Sequence, residues 1–332
     1  FNLPDAYFDS IIRWQKERNG VEDLPREAIG YENGVLGCVA SAAAAFTSPG
    51  ESILLHSPTY IGFTGVLENC GRNIVLSDLV QDENGVWRMD YADMDRKLKE
   101  HNIHFAIFCS PHNPTGRVWE REEIEKAMEI YKANECVVIS DEIWSDLTLP
   151  GFKHIPTQSV SKDARERTIA LYAPSKTFNL AGLCYASIII PNDEVRAKFQ
   201  KQMGLQAFMH IERFGPVAHE AAYRHGAEWL EELIQVIKGN YEYVRDFFAQ
   251  HFPGVVVTEL EGTYLVWCDF RCFGMSDADM KVFLTDECML YLDNGTDFGA
   301  AGSGYQRINV ACPRKTLADA LDRFYQAARK RG

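Results

Sequence analysis

From about residue 28 to residue 191 the chain alternates short, β-prone apolar runs with longer helical ones, and few folds tolerate that rhythm. The runs at 28–32, 52–56, 73–77, 104–109, 136–140, 168–172 and 185–190 predict strands. Helical patterns at 36–46, 61–69, 91–100 and 121–134 lie between them. The expectation is an α/β fold: a mostly parallel seven-stranded sheet with helices on both faces. After residue 192 the character changes. Helical patterns dominate 193–252, with an amphipathic stretch through Trp229, Leu233, Ile237, Tyr241 and Val244. A smaller α+β unit follows, with strands at 255–260, 263–269 and 305–310 and helices at 277–287 and 317–330. The expected organisation is an N-terminal segment 1–20, a large domain 21–230 and a small domain 231–332. A cleft between two domains is the usual setting for a small-molecule site.

No apolar run nears the roughly 18 residues of a membrane span, and the first residues do not read as a signal peptide. The net charge of −13 argues against a nucleic-acid partner, which calls for a basic stripe. Nine cysteines, an odd number and mostly in apolar stretches, suit reduced thiols in the cytoplasm rather than a disulfide framework. Cys268 and Cys272 lack a second pair, and His219-Glu220 is followed by Tyr223 where a zinc helix needs histidine, so no metal is expected. The chain opens at Phe1, and a segment N-terminal to it is expected.

Chemistry concentrates just past the strands. Lys176 follows the buried-looking run 168–172; desolvated there it would be a nucleophile or base, and at the surface an ordinary loop lysine. Asn33-Gly34-Val35-Leu36-Gly37 opens an alanine-rich helix whose free amides suit phosphate, although many strand–helix turns contain glycine. Tyr60, in Ser57-Pro58-Thr59-Tyr60, sits at the carboxyl edge of the sheet, where a ring stacks on a flat cofactor or simply fills a turn. In Ser110-Pro-His-Asn-Pro-Thr-Gly116 two prolines fix an extended turn and leave the Asn113 amide pointing outward. Ser140-Asp141-Glu142 ends an apolar strand with an acid that needs a cationic or hydrogen-bonding partner, and an ordinary structural salt bridge would also meet that need.

These five features share one edge of one sheet, and pyridoxal phosphate asks for such a set. The cofactor needs a lysine for its aldehyde, an acid for its pyridine nitrogen and an amide for its ring hydroxyl. It also needs an aromatic to stack on it and helix amides for its phosphate.

The motifs SPHNPTG, SDEIW and SKTFNLAGL together resemble those of fold-type I pyridoxal-phosphate enzymes in the class I/II aminotransferase superfamily, most closely the MalY/PatB-type cystathionine β-lyases. The resemblance runs from about Leu3 to the C-terminus. It implies that Lys176 is the Schiff-base lysine, Asp141 the pyridinium partner, Asn113 the ligand of the ring oxygen and Tyr60 the stacking ring. Lys176, Asp141 and Tyr60 would be the catalytic residues. Gly34, Val35, Leu36 and Ser175 would hold the phosphate, and Trp144 would also touch the cofactor. Arg307, in Gln306-Arg-Ile-Asn-Val-Ala311, would clamp the substrate α-carboxylate with its bidentate fork. Three positions depart from the aminotransferase pattern: Trp144 where a tyrosine is frequent, Cys184 where an arginine grips phosphate, and Ala173 in place of a serine. The first two favour the lyase group; the last two leave the phosphate shell incomplete, so the resemblance implies a homodimer whose partner completes it. The implied reaction is β-elimination from cystathionine or related cysteine S-conjugates, with transamination as the rival. A regulatory protein that keeps the cofactor fold is a third reading. A nucleotide-dependent oxidoreductase would need a GxGxxG fingerprint that this chain lacks.

Overall fold

The computed structural model describes residues 3–206 and 213–331. Seven strands form the large sheet: β1 Ile29–Glu32, β2 Ser52–Ser57, β3 Asn73–Asp78, β4 Phe105–Cys109, β5 Val137–Asp141, β6 Thr168–Tyr172 and β7 Ala186–Ile189. Their order is β1-β7-β6-β5-β4-β2-β3. Only β7 runs against its neighbours; every other pairing is parallel. All seven expected strands are present, and the expected sheet is the observed one.

The central strands are apolar throughout because both faces are covered. Alternate residues go to opposite sides. Ile53, Leu55, Ile107, Ile139 and Leu171 pack on the helix Gly34–Phe46 through Cys38, Val39, Ala42 and Ala43. Leu54, Ala106, Phe108 and Val138 face the other way, onto Met94, Leu98, Ile124 and Met128 of the helices Tyr91–Glu100 and Arg121–Ala133. Parallel strands point their carboxyl ends the same way, so every loop that follows β2, β4, β5 and β6 emerges on one edge.

The second sheet is antiparallel: β8 Val256–Val257, β9 Leu265–Asp269, β10 Asp293–Asn294 and β11 Tyr305–Asn309, in the order β8-β9-β11-β10. Val266 and Cys268 of β9 share a core with Leu230, Val244 and Phe248 of the helix Ala227–His251 and with Leu317, Leu321 and Phe324 of the helix Arg314–Arg331.

Three details differ from expectation. The strand expected at 255–260 stops at Val257, because the amides of Glu261 and Gly262 bond to Gly116 O and Leu149 N bonds to Glu261 O. That segment ties the second sheet to the loops of the first. The helix expected at 277–287 is α-helical only over Asp277–Val282 and widens into a π turn over Phe283–Glu287. Finally, the N-terminal segment contains a helix, Asp5–Asn19, whose Tyr7, Ile11 and Trp14 are buried. Trp14 stacks flat on Tyr223, with ring centroids 4.6 Å apart. Among the described residues no helix is long and apolar enough to cross a membrane.

Candidate active site

The carboxyl edge of the large sheet and β11 enclose a cavity of about 420 Å³. Asn33, Gly34, Val35, Leu36, Tyr60, Asn113, Asp141, Trp144, Ser175, Lys176 and Arg307 all line it. Every site residue expected from the sequence is therefore brought to one place. Two hollows of about 520 and 650 Å³ lie elsewhere, around Leu24 and Arg165 and around Met128 and Lys162, and neither contains any of these groups.

Local sequence explains each placement. β5 ends on Asp141, 4% exposed, whose Oδ1 accepts only the amide of Ile143 at 3.1 Å among the described hydrogen bonds. Burial pushes its carboxyl up to about 7, against the opposing pull of that amide and of Lys176. β6 leads through Ala173 into the short helix Pro174–Thr177, which starts on a proline and carries Ser175 and Lys176. Burial lowers the pKa of Lys176; Asp141 opposes the shift and the charge of Arg307 adds to it. The Lys176 Nζ lies 5.6 Å from the centre of the Trp144 ring. Trp144 in turn meets Tyr264 edge to face at 4.7 Å.

The loop after β4 is held by hydrogen bonds from Gly116 N to His112 O and from His112 N to Arg117 O, both 2.8 Å. The expectation that Asn113 points outward needs correction. Its side chain is 5% exposed, because β11 closes over the strand ends, and its Oδ1 accepts Arg307 Nη1 at 2.7 Å. With the carbonyl engaged, its amide nitrogen is left to donate.

At the start of the helix Gly34–Phe46, Asn33 makes no side-chain cap bond and the first turn carries no acid. The amides of Val35 and Leu36 thus keep their capacity for an anion. Gly34 has φ +68°, a left-handed conformation that favours glycine, and it stands in van der Waals reach of the Cys184 backbone. Cys184, exposed, lines the same end of the cavity. Tyr60 precedes the helix Ile61–Asn69 and meets Phe63 edge to face at 5.4 Å. Burial raises its pKa, with Asp141 adding and Arg307 opposing.

Sequence reasoning missed three contributors. Gly62 admits the Tyr60 ring, since a Cβ there would lie 2.4 Å from Tyr60 Cε1. The Tyr-Ile-Gly spacing was the available signal. Tyr264 supplies aromatic wall beside Trp144. Asp293 bonds the far side of Arg307, its Oδ2 accepting Nε at 3.0 Å and Nη2 at 2.7 Å.

Residues 4–324 match the family described as aminotransferase class I and II. The chain belongs to that family. Cystathionine beta-lyase PatB of Bacillus subtilis is 36% identical over 319 residues, 96% of this chain and 82% of PatB. Cystalysin from Treponema denticola, whose crystal structure contains pyridoxal 5′-phosphate, superposes with a TM-score of 0.97 at 33% identity, covering 100% of this chain and 84% of its own. A pyridoxal-phosphate-bound C-S lyase from Staphylococcus hominis gives 0.91 at 28% identity, over 98% of this chain and 82% of its own. Family membership extends over both sheets, so it includes the strand that carries Arg307.

Proposed function

We propose that the chain is a pyridoxal-5′-phosphate-dependent carbon–sulfur β-lyase. It acts on cystathionine or related cysteine S-conjugates and gives thiol, pyruvate and ammonia. One observation carries the reading: a half-buried lysine of lowered pKa shares a cavity with a buried carboxyl that pairs with no cation among the described residues. The similarity to cystathionine β-lyase PatB and to the pyridoxal-phosphate-bound C–S lyase of Staphylococcus hominis supports the choice of reaction, and the cofactor in cystalysin supports the choice of cofactor.

The residues fit the cofactor group by group. Asp141 would take its pyridine N–H, the Asn113 amide would donate to its ring oxygen, and Tyr60 would stack on the ring with Trp144 beside it. The amides of Val35 and Leu36, Gly34 in the turn and the Ser175 hydroxyl would seat its phosphate. When bound, pyridoxal phosphate supplies an aldehyde that takes an amine and a conjugated ring that accepts electrons.

Burial lowers the pKa of the Lys176 amine and so favours its neutral form, the form a base at Cα requires. Its Nζ would take the Cα proton and return it during later steps. Arg307 would orient the Cα–H bond by holding the α-carboxylate, and Asp141 would keep the ring nitrogen protonated by staying ionised beside it. Trp144 and Tyr264, which line the same cavity, would restrict water around the reacting carbon.

Lys176 and Arg307 are the only lysine or arginine among the residues lining the cavity, and both lie toward the substrate end of this assignment. The phosphate seat thus lacks a cation from the described residues of this chain. We propose a homodimer in which the partner subunit supplies what the seat lacks. We also propose a cytoplasmic location, supported by nine free thiols.

The test is direct. Purified holoenzyme given cystathionine, with no 2-oxo acid present, should release pyruvate and a free thiol in equal amounts. Product formation only on adding a 2-oxo acid would instead identify an aminotransferase.

A further inference from the structure

Arg307 is gripped from three directions before any substrate arrives. Asp293 Oδ2 accepts both Nε and Nη2, at 3.0 and 2.7 Å. Asn113 Oδ1 accepts Nη1 at 2.7 Å. Arg307 Cζ also lies over the Phe298 ring, 4.6 Å from its centre. A guanidinium has five N–H donors. Three are engaged here, which leaves one N–H on each terminal nitrogen for a carboxylate.

We propose that Asp293 is a positioning residue for substrate. By occupying the Nε–Nη2 side of Arg307, it leaves the two terminal nitrogens aimed at the α-carboxylate. The inference rests on the reading of Arg307 as the carboxylate clamp.

The backbone supports the placement. Asp293 stands directly opposite Arg307 in the β10–β11 register, so the two side chains share a face. β10 is only two residues long, and the loop beyond it is closed backbone against backbone. A Cβ on Gly295 would lie 1.8 Å from Gly302 O, and one on Gly302 would lie 1.9 Å from Gly295 O. That contact anchors the strand bearing Asp293.

An ordinary surface ion pair is a weaker account. The Asp293 side chain is 45% exposed but that of Arg307 only 14%, and a partly exposed pair adds little to folding. Geometry, rather than stability, is what its loss should disturb. A negative charge beside Arg307 would also weaken the hold on a second carboxylate, and this opposing effect predicts the opposite sign.

The experiment titrates holoenzyme with L-alanine, which has no leaving group, and with 1-propylamine, which has no carboxylate, reading the cofactor absorbance. Asp293→Ala should raise the Kd for alanine by about tenfold, while propylamine binding is unchanged. KM for an S-conjugate should rise in parallel, and kcat should fall by less than about threefold. Asp293→Asn, which retains an oxygen acceptor, should recover most of the affinity. Equal losses for alanine and propylamine would overturn the proposal, as would tighter or unchanged alanine binding in Asp293→Ala. Arg307→Ala separates the two readings. If that variant binds alanine normally, the carboxylate assignment fails and the proposal with it. If it binds alanine weakly while Asp293→Ala binds it normally, only the role of Asp293 is lost.

Discussion

Asp141 and Glu142 are neighbours at the end of β5, equally removed from water, yet they are held in opposite ways. Asp141 accepts one backbone amide and is pushed up to about 7. Glu142 also suffers burial, but the His154 charge and hydrogen bonds from His154, Tyr172 and Thr157 outweigh it and hold the carboxyl below its ordinary range. Its Oε2 accepts His154 Nε2 at 2.7 Å and the Tyr172 hydroxyl, and its Oε1 accepts Ser140 Oγ at 2.8 Å and Thr157 N at 3.0 Å. Burial alone therefore does not define a site. What separates the two acids is how many partners the fold already supplies: Glu142 is satisfied internally, and Asp141 is left to be satisfied by something that binds.

The sharpest challenge to this contrast begins at the residue that faces Asp141 across the cavity. Lys176→Ala should lower lyase turnover by at least about a thousandfold while cofactor still binds noncovalently, seen as a retained absorbance band that borohydride no longer fixes to the protein. Turnover near wild type would remove the lysine from its role. Asp141→Asn should cost about a hundredfold in kcat with the fold intact, because an amide cannot hold the ring nitrogen protonated. Glu142→Gln should do the reverse. It leaves His154 without its charged partner, and chemical denaturation should show a loss of about 2–4 kcal/mol with cofactor affinity little changed. If Glu142→Gln impaired cofactor binding as much as Asp141→Asn, the contrast would fail.

The smallest effect is a pH dependence. In the protein alone the folded pKa of Asp141 lies above its unfolded value, so its contribution to stability is full below about pH 4 and is lost as pH rises through about 7. A bound ring cation reverses that penalty by pairing with the ionised carboxylate. The stabilisation conferred by cofactor, measured as a melting-temperature difference between holo and apo protein, should therefore grow from pH 5 to pH 8. In Asp141→Asn this growth should disappear.

The large sheet was legible because its strands are apolar runs bounded by breakers, and helical runs between them leave few topologies. The edge on which the site sits follows from parallel strands, so Tyr60, Asn113, Asp141 and Lys176 could be placed together from their positions after those runs. The difference between Asp141 and Glu142 was not legible. It depends on His154 and Tyr172, 12 and 30 residues away, brought in by packing. Asp293 was hidden for another reason: a two-residue strand has no period to detect. The helix Asp5–Asn19 had a pattern, Tyr7, Ile11 and Trp14 at helical spacing, but it stands apart from the strand–helix alternation that organised the rest.

The closure of Gly295 on Gly302 has a practical consequence for anyone altering what this enzyme accepts. Neither residue has a side chain, so neither would be chosen in a scan of groups that touch ligand. Yet any substituent at either position would have to push two chain segments apart, and the displacement would travel along β10 toward the acid opposite Arg307. Libraries meant to relax or redirect amino-acid selection should leave these two positions untouched and vary the aromatic wall instead.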